Sequence, residues 1–290
     1  MFYGIYTPNF GAETTPRILA DLAAEAEEAG WDGFFIWDHM VYSRNQKLPL
    51  YDPWVTLAGI AMRTEHLRFG TTITPVARRR PWKLARETVT LDHLSGGRLI
   101  LGVGIGDPDE DDYGTFGEPT DRKVRAAMLD EGLEILDGLW SGKPFGFKGN
   151  YYQVKKCTFL PPPIQTPRIP IWVGGFWPHK RPFRRAARWD GAFPLNSGGP
   201  ITPTPQILRD IQAYIEQHRT SQAPFDLVIM GTTPGNDLKA AHKKLAGYTG
   251  TGLTWWLESL YRWRNSIEGM RKRIRQGPPR IDLKGNLLHK

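Results

Sequence analysis

The pair Asp38-His39 stands where a short apolar run, Asp32 to Trp37, ends. An imidazole takes up and releases protons near neutral pH, so a histidine at such a place is a candidate acid or base. A histidine hydrogen-bonded only for structure is the alternative, and its place at a strand end favours chemistry. Leu101-Gly102-Val103-Gly104-Ile105-Gly106 brings glycines to the end of another apolar run. Without a Cβ, such a backbone lets a flat ring pack directly on it, although ordinary tight turns use glycine too. Gly174-Gly175 follows a further run and offers backbone N–H groups to a phosphate near the start of a helix. Asp107 follows the first of these glycine clusters.

Other chemistries fit less well. No lysine stands at a strand end, which disfavours a Schiff-base enzyme. There is no His-x-His pair at the first strand and no further histidine at later strand ends, so a metal-dependent hydrolase is disfavoured and no metal is expected. Asp107 and Glu258 would be the carboxylates of a glycosidase, but nothing else supports that pairing. The run Asp107 to Asp112 with Glu118 mimics a calcium loop, yet Asp112 occupies the place that needs glycine. The single cysteine, Cys157, excludes an internal disulfide framework.

Elements that alternate along the chain must position these residues. Strands are expected over Phe2–Thr7, Asp32–Trp37, Leu67–Ile73, Arg98–Val103, Ile169–Val173, Gly191–Pro194, Asp226–Met230 and Leu253–Leu257. Helices are expected over Thr14–Ala29, Pro53–Arg63, Pro81–Leu94, Asp121–Trp140, Arg181–Arg188, Gln206–His218, Asp237–Leu245 and Ser266–Arg275. Their apolar residues recur at helical spacing, as in Ile207, Ile211 and Ile215. A hairpin, Phe145 to Tyr152, and an extended Pro161-Pro162-Pro163 interrupt the rhythm between the fourth and fifth units. Eight strand-helix units in one chain predict a single (β/α)₈ TIM barrel of class α/β, with that hairpin as an insertion, spanning residues 1–290 as one domain. An open doubly wound sheet would carry a Gly-rich phosphate turn after its first strand, and Pro8-Asn9-Phe10-Gly11 does not match one.

In a barrel the residues just past each strand carry function. That rule gathers Asp38-His39, Thr72-Ile73, Gly104 to Asp107 and Gly174 to Phe176 at one mouth. Trp54, Trp82, Phe176 and Trp177 are aromatic residues for either a pocket or the core. Most of Arg78-Arg79-Arg80 and of Arg181, Arg184, Arg185 and Arg188 read as solvated faces, with one or two available for an anionic tail.

The 290 residues carry 38 basic against 30 acidic side chains, a net charge of +8. This balance suits an anionic small molecule. No nucleic-acid recognition motif accompanies it. No window approaches a membrane span, and the first residues read as a strand rather than a leader, so a cytoplasmic protein is expected.

Several segments together resemble one family, the bacterial-luciferase-like flavin-dependent oxidoreductases. They are Ala26 to Gly33 running into Trp37-Asp38-His39, Leu91 to Arg98 running into Leu101 to Gly106, Leu139 to Gly142 with Phe147 to Tyr152, Ile169 to Gly175, and Ala186 to Gly191. The resemblance implies the same barrel, with FMN or coenzyme F420 bound at its C-terminal mouth. It implies a non-proline cis peptide near Thr72-Ile73 supporting the ring, with Asp38 beside it. It places Gly104, Ile105, Gly106 and Asp107 along the ring, Gly174, Gly175 and Phe176 at the phosphate, and His39 as acid or base. Asp107 stands where deazaflavin-dependent members often carry a longer glutamate. The expected activity is F420-dependent hydride transfer or FMN-dependent monooxygenation of a small organic substrate. A flavin reductase would be a partner in the FMN case, and a homodimer is a further expectation. A non-catalytic flavin-binding barrel is the alternative, and the presence of His39 argues against it.

Overall fold

A computed structural model describes residues 1–261 and 266–280. Eight parallel strands close on themselves: β1 (Phe2–Thr7), β2 (Gly33–Ile36), β3 (Arg68–Pro75), β4 (Leu99–Gly104), β7 (Ile171–Trp177), β8 (Gly191–Asn196), β9 (Asp226–Gly231) and β10 (Trp255–Ser259). Closure is made by β1 against β10, from Phe2 beside Trp255 to Tyr6 beside Ser259. The antiparallel hairpin β5 (Pro144–Lys148) and β6 (Gln153–Thr158) stands apart between the fourth and fifth barrel strands, where an insertion is expected.

The helices are α1 (Pro16–Glu28), α2 (Pro53–Arg63), α3 (Pro81–Ser95), α4 (Asp109–Asp112), α5 (Arg122–Trp140), α6 (Lys180–Ala186), α7 (Pro205–Glu216), α8 (Leu238–Ala246) and α9 (Ile267–Arg275). Local chemistry starts them. Thr15, Asp52 and Thr204 each accept the amide three residues on, and a proline follows each in the first turn. Asp121 caps α5 through the amides of Lys123 and Val124. The barrel interior is filled at its lower end by Phe35, Trp172 and Trp255, whose ring centroids lie 5.0 to 5.7 Å apart. Outside it, Leu19, Leu22, Ala23 and Ala26 of α1 are buried in a larger apolar layer between strands and helices.

Several strands outrun their expected ends, β3 and β7 among them. β3 continues past Ile73 because Thr74 and Pro75 pair with Val103 and Gly104. β7 continues past Val173 because Gly174 to Trp177 pair with Phe193 to Asn196. Glycine and proline are poor strand formers, so their presence masked both extensions in the sequence. Gly174, Gly175 and Phe176 are therefore residues of the strand itself and not of a loop after it. The hairpin spans 144–158, wider than the expected 145–152. The single turn α4 is not signalled by any apolar periodicity.

Among the described residues no helix is long and apolar enough to cross a membrane. The last residues of the expected domain, 281–290, lie outside the described residues.

Candidate active site

A cavity of about 1030 Å³ opens at the C-terminal ends of the strands. That is the upper end of the range for small-molecule sites. All eleven residues singled out in the sequence line it: Asp38, His39, Thr72, Ile73, Gly104, Ile105, Gly106, Asp107, Gly174, Gly175 and Phe176.

One wall is built by β3, β4 and β7. The Thr72-Ile73 peptide is cis, at the place the resemblance implies, and the pairing of β3 with β4 shifts register between Thr71 and Thr74. The Ile73 side chain lies across two strands: a Cβ on Gly104 would stand 2.9 Å from it and one on Gly174 2.8 Å. Only glycine fits beside it at both places. The Thr72 hydroxyl is buried without a hydrogen-bond partner among the described residues, a polar atom that a bound group would satisfy.

The loop after β4 is pinned. Gly106 has φ +78°, and a Cβ there would meet the Tyr113 hydroxyl. That hydroxyl donates to the Ile105 carbonyl at 2.7 Å. The fully buried Arg125 donates to the carbonyls of Ile105 and Gly106 at 3.1 and 3.3 Å, bonds Asp109, and lies 4.2 Å from the Tyr113 ring centroid. Asp107 stands at the rim with its side chain 57% exposed, paired with Arg122 at 2.9 Å.

His39 lies on the opposite side, 13% exposed, with Nδ1 3.1 Å from Asp112 Oδ2. Phe10, Trp37 and Tyr42 present ring edges around it at 6.4, 5.8 and 5.5 Å between centroids. The Asp38 carboxylate is turned away into a buried ion cluster. It accepts from Arg78 at 2.7 Å, from Arg79 at 2.9 Å and from Thr74 at 2.9 Å. Arg78 also bonds Asp112. Arg78 and Arg79 thus leave the solvated face expected of them, because two buried carboxylates need cationic partners. Burial works against the Asp112 charge, yet the hydrogen bond with His39, Arg78 and the Met40 amide hold its carboxyl below the usual aspartate range.

Four residues of this arrangement escape sequence reading: Asp112, Tyr113, Arg125 and Tyr6. Asp112 entered the sequence argument only as a misplaced calcium-loop residue. Tyr6 packs 5.8 Å from Phe193 on the cavity wall, and burial together with Tyr261 and Tyr42 pushes its phenol well above its ordinary pKa. Of the four aromatic residues left between pocket and core, Phe176 alone lines the cavity. Trp54 is buried beside Arg79, Trp82 packs on Tyr152, and Trp177 is covered by Lys180. Glu258 is buried away from the cavity, accepting from Thr233 and Trp256. Among the described residues no three metal-ligating side chains cluster.

The luciferase-like monooxygenase family matches residues 1–237. The chain belongs to that family. Relatives of this luciferase-like protein include an F420-dependent glucose-6-phosphate dehydrogenase of Nakamurella multipartita, 33% identical over 70% of this chain and 59% of that protein. The protein of the same description from Rhodococcus hoagii is 34% identical over 74% of this chain and 63% of its own. The chain thus spans about three fifths of these relatives' length. Among solved structures, an F420-dependent secondary alcohol dehydrogenase holding an F420-acetone adduct superposes with TM-score 0.78 at 16% identity, covering 96% of this chain and 98% of that one. The oxygenating constituent of a Pseudomonas putida diketocamphane monooxygenase, in complex with FMN, gives 0.75 at 15% identity, with 95% and 96% covered. These two show the shared barrel.

In this luciferase-like barrel the cavity has a basic end. Arg122 and Lys123 open α5, and His179, Lys180 and Arg181 begin the segment after β7; all five line the cavity. Arg122 is committed to Asp107 and Asp109, and Lys180 sits 3.3 Å from the Trp177 ring centroid. Lys123 and Arg181 have no carboxylate partner among the described residues. The His39 side is apolar instead, with Tyr6, Trp37, Tyr42, Phe193 and Leu195.

Proposed function

We propose that this protein binds coenzyme F420 in the cavity and oxidises or reduces a small, largely apolar alcohol or carbonyl compound, with His39 as the acid or base. One observation carries this reading. A histidine with one ring nitrogen already engaged faces a cavity whose other wall is glycine backbone around Ile73 and whose far end is cationic. The residues fit the cofactor. The unpaired Thr72 hydroxyl and the two glycines suit a flat polar-edged ring, and Lys123 and Arg181 suit its polyanionic tail. This basic end, with the F420-dependent relatives, favours F420 over FMN.

When bound, the deazaflavin ring would accept or deliver a hydride. The protein's own part is to orient and to move a proton. Ile73, Gly104 and Gly174 would seat the ring. Gly175 and Phe176 would flank the tail, with the cations of the following segment supplying its charge partners. Tyr6, Trp37 and Phe193 would exclude water from the reacting centre. His39 Nε2 would take the hydroxyl proton of an alcohol, or return it to a carbonyl. Asp107 at the rim would be a second proton-bearing group. We further propose a single domain over residues 1–290, a cytoplasmic location and a homodimer. Val55 and Met62, exposed one above the other on α2, favour the last.

Titration of the purified protein with F420 and with FMN, followed by ring fluorescence, tests the cofactor. Saturable binding of F420 alone, with reduction of F420 by secondary alcohols, is the expected result. Tight binding of FMN alone would overturn it in favour of a monooxygenase with a flavin reductase partner. Binding of neither would leave the cavity to other chemistry.

A further inference from the structure

The structure assigns Asp112 as the positioning residue of His39, holding the imidazole with its proton on Nδ1 so that the Nε2 lone pair is kept for the substrate. The inference rests on the proposed role of His39, but its geometry stands independently. Asp112 reaches from α4, after β4, to the loop after β2. Its Oδ1 accepts the amides of Met40 and Val41 at 2.6 and 3.1 Å, and its Oδ2 meets His39 Nδ1 at 3.1 Å and Arg78. Every one of these partners except the imidazole is a donor without alternative. An ionised carboxylate can only accept, so Nδ1 must carry the hydrogen. A proton on Nδ1 of a neutral ring leaves Nε2 as the acceptor.

The backbone is held on both sides of His39. Arg78 and Arg79 grip the Asp38 carboxylate just before it, and Asp112 grips the amides just after it. Arg78 joins the two carboxylates. With Asp112 fully buried and Arg78 5% exposed, water does not compete for these bonds. The ring edges of Phe10, Trp37 and Tyr42 fix the imidazole plane, and Asp112 fixes its tautomer. Asparagine at 112 would keep an oxygen for the two amides but turn an NH₂ toward Nδ1, which would select the opposite tautomer. Burial and packing around position 112 would change little, so a purely structural role and a tautomer-setting role predict different outcomes.

The test is ¹⁵N NMR of the histidine side chains in the cofactor-free protein, above the pH at which histidines are protonated, with His39 assigned by its absence in His39→Ala. Wild type is expected to show the Nδ1–H form, and Asp112→Asn to lose it. In turnover, Asp112→Asn is expected to lower kcat roughly 100-fold with little change in KM, as for loss of a group that orients a reacting imidazole. Asp112→Glu, which keeps the charge, is expected to retain the Nδ1–H form and recover most of the rate, and it serves if the asparagine variant folds poorly. An Nε2–H form in wild type, or an unchanged tautomer in Asp112→Asn, would overturn the assignment. Because the spectrum needs neither cofactor nor substrate, it decides the role of Asp112 even if F420 does not bind.

Discussion

Ile73 and Gly104 are matched in size: the Ile73 side chain occupies the space a Cβ on Gly104 would need, leaving 2.9 Å where ordinary contact requires well over 3 Å. Gly104→Ala is expected to push Ile73 toward the cavity. Overpacking of this kind costs about 1–3 kcal/mol. Cofactor affinity should fall about tenfold, equivalent to ~1.4 kcal/mol. Adding Ile73→Val removes the colliding methyl and should restore most of the affinity. Fluorescence titration of the three variants checks it, and unchanged affinity in Gly104→Ala would remove the ring from this wall.

His39→Ala should separate binding from chemistry. Its imidazole is the acid or base on the apolar side, and general acid–base assistance is worth roughly 10²–10⁴ in rate. Steady-state turnover is expected to drop within that range while the F420 dissociation constant stays the same. Unchanged turnover would make a catalytic His39 untenable.

The barrel and its mouth are legible in the sequence because both obey short-range rules. Period-3.6 apolar faces, capping residues followed by proline, and glycines at strand ends are local signals. They gather the eleven expected residues into one cavity. What escapes depends on long-range pairing. Asp112 lies 73 residues from His39, and Arg78 lies 34 residues from Asp112 and 40 from Asp38. An arginine pair in a run of three reads as surface until two buried carboxylates are known to face it. Gly174 to Phe176 read as a loop because glycine hides a strand whose neighbour continues beside it. Asp38 reads as a cofactor contact from position alone, whereas its carboxylate is occupied by Arg78 and Arg79.

The Asp112 charge predicts a pH-dependent stability. An unfolded aspartate titrates near pH ~3.9, and the folded value is lower. The stabilisation is therefore fully present above the unfolded value and is lost as pH falls through the folded one. Breaking a buried ion pair costs roughly 3–5 kcal/mol. Asp112→Asn should be less stable than wild type by about the lower end of that range at neutral pH. The gap should close as pH drops below about 4. Urea midpoints across that interval measure it, and a gap independent of pH would mean that Asp112 is not held ionised.

Lys123 and Arg181, without a carboxylate partner among the described residues, predict salt-sensitive binding if they meet the proposed tail. Lys123→Gln and Arg181→Gln should each weaken F420 several-fold at low ionic strength. They should also flatten the dependence of affinity on salt, since the Debye length shrinks to about 3 Å at 1 M. An equal slope in wild type and variants would place the tail elsewhere.

Arg98 closes a segment, Leu91 to Arg98, that carries the family resemblance, yet its work lies at the opposite end of the barrel from the cavity. Its guanidinium donates to the Ser95, Ala61, Thr64 and Leu67 carbonyls and to the Thr64 hydroxyl at 2.7 to 2.9 Å. These bonds tie the turn between α2 and β3 to the turn between α3 and β4. Residues at this face of a barrel serve stability rather than chemistry. Lysine has three donors on a point charge and cannot span the same fan of acceptors. Hydrogen bonds to a charged group are worth about 1.5–3 kcal/mol each, and partial replacement by water recovers some of that. Arg98→Lys is therefore expected to lower unfolding free energy by roughly 2–3 kcal/mol while F420 affinity and turnover of the folded enzyme stay at wild-type levels. Urea unfolding beside a cofactor titration measures both, and a loss of affinity at full stability would contradict the division of labour between the two faces.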